Sequence, residues 1–182
     1  KILFDAEPGS HTRAIFTLDD ATMLYDDSRM FGSIEWGSEP VRTARLGPDA
    51  FEADDLPPGL LRRRTPIKAA LLNQSVYSGI GNIYADEALF RARIHPRRRA
   101  DRLSPERAAK LVAVIREVMA EAVEFRGSSV SDYVDTNGRS GRFQDRHQVY
   151  AREGLPCNNC GGPIRRIVLA GRGTHYCPKC QR

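Results

Sequence analysis

The sequence predicts an α+β fold in which strands come first, helices follow and a small cysteine-rich module closes the chain. Three observations predict it: alternating apolar, β-branched and aromatic segments in the first 36 residues, apolar residues at helical spacing from Thr65 to Phe125, and four cysteines within the last 26 of 182 residues. Apolar residues are 41% and charged residues 28% of the chain. No apolar run approaches the roughly 20 residues a bilayer span needs, which excludes a helical membrane protein. Eleven Pro and 15 Gly are ordinary counts and exclude a collagenous or low-complexity chain. KILFD at the start has neither the cationic nor the long apolar region of a signal peptide. Opening on Lys1 rather than Met, the chain is expected to start partway into a longer protein.

RAIFTL (13–18) and TMLYDDSRMFGSIEW (22–36) alternate and read as antiparallel strands, with Asp19-Asp20 as the turn between them. Residues 47–59 are acidic and hold three prolines, which suits a linker or a loosely packed crossing segment, and the first domain boundary is placed there. From Thr65 the pattern turns helical: IKAALLNQ with Pro66 in its first turn, then 82–92, then 104–125, where Leu111, Ile115, Val118 and Ala122 share one face. A short piece, SSVSDYV, and a glycine-containing polar loop, TNGRSGRFQ, lead to the cysteines. No internal repeat is present.

Residues 1–59 hold 5 basic and 12 acidic groups, whereas residues 60–182 hold 23 and 11, so the net charge of +5 hides a net +12 on the second piece. Twenty of those 23 cations are arginine, whose planar fork fits phosphate. A polyanion binder carries this footprint, because neutralising phosphates releases counterions; a solubilising surface is the bland alternative.

Cys157-Asn-Asn-Cys160 and Cys177-Pro-Lys-Cys180 have the spacing of two zinc knuckles. Four thiolates complete a closed structural site for one Zn²⁺, so His175 is read as a hairpin side chain rather than a ligand. Two disulfides are the competing reading, disfavoured without a sign of secretion. In Gly79-Ile80-Gly81-Asn82-Ile83-Tyr84, the glycines allow a close approach and Asn82 can cap the next helix, where an anion would bind. The same pattern also occurs as a plain connection between helices.

LLNQSVYSGIGNIYADEALFRARIHP and QVYAREGLPCNNCGGPIRRIVLAGRGTHYCPKCQR resemble the formamidopyrimidine-DNA glycosylase family, and HTRAIF and LYDDSRMFG resemble late strands of that family's N-terminal β-sandwich. The resemblance covers nearly the whole chain. It implies the end of a β-sandwich (1–46), a linker (47–64), a helix-two-turn-helix domain (65–145) and a β-hairpin zinc finger (146–182). The implied activity is base-excision repair: a bifunctional glycosylase and AP lyase that flips out and removes oxidised purines, then cuts the abasic strand by β,δ-elimination. Its implied partner is damaged double-stranded DNA, bound by a monomer in the bacterial cytoplasm, with no membrane.

Carried over by motif, Lys68, Asn82 and Tyr150 match phosphate contacts around the flipped base. Arg172 matches the finger arginine that grips phosphate and takes part in δ-elimination. Arg29 matches the residue that pairs with the orphaned cytosine, and Phe31 the wedge beside it. His11 matches a further DNA contact and Arg63 lies near another, while Gly138-Arg139-Ser140-Gly141 falls where the family closes a flap over the base. Phe31 can equally be core, and any single arginine solvated surface. The family's N-terminal Pro-Glu, which supplies the amine and the proton-handling carboxylate, is not in this sequence, so the chain alone is expected to be inactive. Two alternatives stand beside the glycosylase reading: a naturally truncated, non-catalytic zinc-dependent DNA-binding module, and, more weakly, an RNA-binding zinc ribbon.

Overall fold

Three short strands, β1 (Ile2–Phe4), β2 (Thr12–Thr17) and β3 (Thr22–Asp26), form an antiparallel sheet in the order β1-β3-β2. Leu24 on the central strand pairs with Leu3 on one side and Ile15 on the other and is fully buried. The computed structural model describes residues 1–38, 43–130 and 134–182; three residues of SSVSDYV (131–133) therefore lie outside the described residues. The β2–β3 turn falls at Asp19-Asp20 as the sequence predicts, closed by the Leu18 N–H donating to the Ala21 carbonyl at 2.9 Å.

The second predicted strand is shorter than its alternating pattern suggests and stops at Asp26. The cause is Asp27, whose carboxylate accepts N–H bonds from Arg29 (3.1 Å), Met30 (3.0 Å) and Gly32 (2.7 Å). A side chain that satisfies three backbone donors competes with the ladder and ends it there.

Among the described residues four α-helices follow: α1 (Pro58–Leu61), α2 (Ile67–Leu71), α3 (Asn82–Arg91) and α4 (Pro105–Glu124). The 47–64 stretch, expected as a linker, packs closely: Ala50, Leu56 and Leu60 are buried, and α1 lies within it. Pro66 sits just outside α2 as its N-cap rather than inside its first turn, with ψ of 139°. The helix also ends early, because Asn73 receives the Val76 and Tyr77 N–H groups on its carbonyl and the Ser75 N–H on its side chain. On α4, Leu111, Ile115, Val118 and Ala122 are all buried, as their spacing requires. Each of the larger three contributes roughly 1.5–3 kcal/mol by leaving water. A hairpin of β4 (Arg165–Leu169) and β5 (Arg172–Tyr176) completes the α+β architecture. By contacts the chain divides into two compact units, Lys1–Pro40 with Ala122–Arg146, and Val41–Glu121 with His147–Arg182. No helix among the described residues is long and apolar enough to cross a membrane.

In the second unit α3 is the centre, with six consecutive residues, Ala85 to Phe90, buried. Two of them are acids. Glu87 accepts the backbone N–H groups of Gln148 (2.9 Å), Val149 (3.0 Å) and Tyr150 (2.9 Å), and so ties the chain entering the finger to α3. Burial pushes its carboxyl up from the usual range, and the three amides pull it back. Glu87→Gln places an NH₂ group against one of those donors. It should cost about 1–3 kcal/mol, read as a lowered urea midpoint, with Glu153→Gln on the exposed surface as the silent control.

Candidate nucleic-acid interface

The sulfur atoms of Cys157, Cys160, Cys177 and Cys180 all lie within 4.8 Å of one another. A tetrahedral Zn²⁺ with sulfur at about 2.3 Å needs S···S edges of about 3.8 Å, and Cys157–Cys180 at 3.9 Å and Cys160–Cys177 at 3.4 Å are close to that. All four are unpaired, and the convergence of four sulfurs on one point favours the zinc reading over two disulfides. The Gly162 N–H beside Cys160 pulls that thiol down to about 7, whereas burial and the neighbouring sulfurs push Cys180 up to about 12. Four such thiolates can ionise together only around a cation, so the donor set fits one structural zinc. Gln181 fixes the module to the residues that follow α3: its Oε1 accepts the Cys177 N–H at 2.8 Å and its Nε2 donates to the Ile94 carbonyl at 2.9 Å. Phe90 of α3 packs with Val149, Ile164 and the cysteines as the finger's core.

The finger presents its hairpin through Ala170 and Gly171, both with positive φ (48° and 73°), as a two-residue turn that suits the twist of the flanking strands. Arg172, the first residue of β5, is exposed beside this turn. The strand behind it is fastened from below. Lys68 Nζ donates to the Gly173 carbonyl at 3.0 Å and to Thr174 Oγ1 at 2.8 Å, and pairs with Asp86 Oδ1 at 2.7 Å. Asp86 Oδ2 accepts the His175 N–H at 2.9 Å, with His175 Nδ1 3.4 Å away. Asn82 Nδ2 adds a second donor to the Gly173 carbonyl at 3.1 Å. Lys68 and Asp86 are 0% and 1% exposed; burial pushes the lysine down from its ordinary range while Asp86 pulls it back.

Beside this junction runs a groove of about 440 Å³, lined by residues that include Gln74, Gly81, Asn82 and Arg172. Gly81 is the N-cap of α3 and has nothing within 4 Å of where a side chain would begin, so backbone can be approached closely there. The positive end of the α3 dipole and Arg172 thus share one groove, a favourable setting for an anion. Gln74 braces its floor, donating to the Ile80 carbonyl at 2.9 Å and accepting the Gly79 N–H at 3.0 Å. Gly79 has φ of +90°, the reason that position takes glycine.

In the first unit, the Asp27-centred loop holds out Arg29, Met30 (72% exposed) and Phe31 (82% exposed), which settles Phe31 as surface rather than core. The Gly32 N–H, above all, holds the Asp27 carboxyl below its usual range. The 138–141 loop is likewise built around an aspartate: Asp135 Oδ1 accepts the Asn137 and Arg139 N–H groups at 3.0 and 2.8 Å. At its root, Gly141 approaches the Gly127 carbonyl so closely that an added Cβ would lie 2.1 Å from it. His11 is exposed in the same unit.

Among the sequence-derived candidates, Lys68, Asn82 and Arg172 come together, and Tyr150 stands nearby with its ring edge-on to His175, centroids 5.0 Å apart. Arg63 is half-buried before α2. Two expectations change. Lys68 has no surface with which to touch a phosphate and holds the finger hairpin instead. Asn82 is the first residue of α3 and not its cap, and its amide reaches across to Gly173. Asp86, Glu87 and Asp27 went unselected in the sequence; the signal was present, since Asp-Glu in the middle of an otherwise apolar helix needs buried partners.

Two family models match: the formamidopyrimidine-DNA glycosylase H2TH domain over residues 37–134, and a zinc finger found in FPG and IleRS over residues 154–182. A formamidopyrimidine-DNA glycosylase of Solibacter usitatus is 54% identical over 185 residues, covering 100% of this chain and 70% of the relative. The crystal structure of MutM (Fpg) from Thermus thermophilus is 48% identical and superposes with a TM-score of 0.88 over 99% of this chain and 72% of that one. Lactococcus lactis Fpg in complex with abasic-site DNA is 32% identical, with a TM-score of 0.84 over 100% of this chain and 71% of that one. The chain belongs to the formamidopyrimidine-DNA glycosylase family.

Three outcomes test this geometry. Chelation of the metal, or Cys177→Ala, should release about one zinc per chain and unfold the finger while most helical circular dichroism remains. Lys68→Met should cost about 3–5 kcal/mol, because it leaves Asp86 buried without its cation, whereas the double replacement Lys68→Met with Asp86→Leu should recover much of that loss in thermal unfolding. Because the Asp27 carboxyl is held low in the folded loop, its ordering effect is present above the ordinary carboxylate range and lost as pH falls through the folded value. The Gly32 amide proton should therefore shift upfield in acid, and Asp27→Ala should abolish that titration.

Proposed function

We propose that this chain is the DNA-gripping part of a base-excision glycosylase and AP lyase acting on oxidised purines in duplex DNA. The observation that carries the reading is the groove where the open α3 terminus and Arg172 meet on a zinc-braced hairpin, in a chain of this family. A base inside a duplex cannot be attacked at its glycosidic carbon. Extruding it costs a few kcal/mol, which clamps on a kinked backbone and a filled helix gap must offset.

In this proposal the labour is divided along the chain. The segment 1–46 carries the gap-filling loop, with Arg29 as reader of the orphaned cytosine, Phe31 as wedge and His11 as a further DNA contact. Residues 47–64 connect it to 65–145, which grips the backbone through the second amide proton of Asn82, with Arg63 just ahead of it as another contact, and 146–182 is the zinc finger. There Tyr150 and Arg172 contact phosphate, and Arg172 is the residue placed to serve elimination. Lys68 is reassigned as a positioning residue that sets the hairpin. Flap closure over the base falls to the 138–141 loop. The protein acts as a monomer in the cytoplasm.

The test is binding of the zinc-loaded chain to matched duplexes with and without an abasic site. Preference for the abasic duplex is expected, and equal affinity for intact DNA would overturn the proposal. Arg172→Ala should reduce that preference with zinc retained. Asn82→Ala should weaken all duplexes alike and flatten the salt dependence by about one unit of slope. Arg29→Ala should instead erode discrimination for cytosine opposite the lesion.

A further inference from the structure

Two arginine runs far apart in sequence, Arg62–Arg64 and Arg97–Arg99, are brought side by side in the second unit. The Ile67 N–H donates to the Arg98 carbonyl at 2.7 Å, the Ala100 N–H to the Thr65 carbonyl at 3.0 Å and the Asp101 N–H to the Arg63 carbonyl at 3.0 Å, so the segments run antiparallel. Pro66 bridges Arg99 in the same register. With Arg102, seven guanidiniums lie on these segments against one carboxylate, Asp101. That carboxylate is bonded by Arg99 at 2.9 Å and is also held low by the charges of Arg102 and Arg64. Arg62, Arg64, Arg97, Arg99 and Arg102 are exposed. None of the seven lines the groove at the α3 terminus.

Gathering cations from two paired segments around one carboxylate costs self-repulsion that solubility alone does not require. Arginine at all seven positions favours a ligand with repeated, planar-forked acceptors, which is the geometry of a phosphate backbone. Half-buried Arg63 and Arg98 each have an Nε atom buried without a hydrogen-bond partner, and Arg98 Nη1 donates to the Arg102 carbonyl at 3.4 Å, so neither is paired with a carboxylate through these atoms. We infer that the exposed arginines of these segments, Arg62, Arg64, Arg97, Arg99 and Arg102, form a second, sequence-independent phosphate site that holds a duplex arm beyond the lesion. The inference rests on the glycosylase reading and extends its footprint.

The experiment replaces three exposed arginines whose side chains make no hydrogen bond among the described residues, Arg64→Gln, Arg97→Gln and Arg102→Gln together, in the zinc-loaded full chain. Binding is measured across a salt series to a short lesion-centred duplex and to one extended by a helical turn on each side. On the long duplex the triple variant should lose roughly two to three units of salt slope, from about 0.9 per phosphate contact. On the short duplex its slope and its preference for the abasic site should match the parent. The corresponding triple Arg→Lys variant should keep the slope. An unchanged slope on the long duplex, an equal loss on both duplexes, or failure of the lysine variant to keep the slope would each overturn the second site. Failure of the parent chain to prefer abasic DNA would instead overturn the glycosylase reading, so the two failures are distinct.

Discussion

The buried ion pair between Asp86 and Lys68 is the constraint on which the functional surface depends. Taking two charges out of water is expensive, and apolar side chains of the same size are often at least as stable in such a place. What they cannot supply is direction. Lys68 directs its other donors to Gly173 and Thr174, and Asp86 turns its second oxygen to the His175 amide, so three consecutive residues of β5 are fixed against α2 and α3. Arg172 is the next residue toward the turn. A long, exposed cation loses entropy whenever it engages a ligand, and a rigid base beneath it limits that loss to the side chain.

Zinc and the ion pair act on opposite ends of the same module. The cysteines organise the knuckles at its far end, where the buried apolar set is too small to fold a finger of this length without metal. Gln181 and Glu87 then carry that order into α3 and the residues just after it. In the sheet-bearing unit the loops that hold Arg29 and Arg139 rely on single aspartates that accept several backbone amides. The first arrangement resists change over the whole pH range in which thiolates stay bound to metal. The second depends on an exposed carboxylate staying ionised.

Legibility in the sequence followed the range of the interaction. The cysteine pairs and the apolar face of α4 are local patterns, so their spacing alone was sufficient. The early stop of β3 was hidden because alternation continues past Asp27, and only the backbone bonds to that carboxylate end the ladder. Lys68 stood where an exposed phosphate contact was expected, yet two of its partners lie 105 and 106 positions away and its counter-ion Asp86 is on the next helix, beyond any local pattern. The stretch 47–59 differs for a related reason: its acids and prolines suggested a linker or a loosely packed crossing segment, while Ala50 and Leu56 within it are buried.

If Asp86 locks the hairpin to α3, native-state hydrogen exchange at the His175 amide reads that lock. In the zinc-loaded chain this proton should exchange among the slowest, opening only with unfolding of the unit. In Asp86→Asn it should exchange far faster while the Cys177 amide, bonded to Gln181, keeps its protection. Rapid exchange of His175 in the parent chain, or equal protection in the variant, would show that Asp86 does not hold the hairpin.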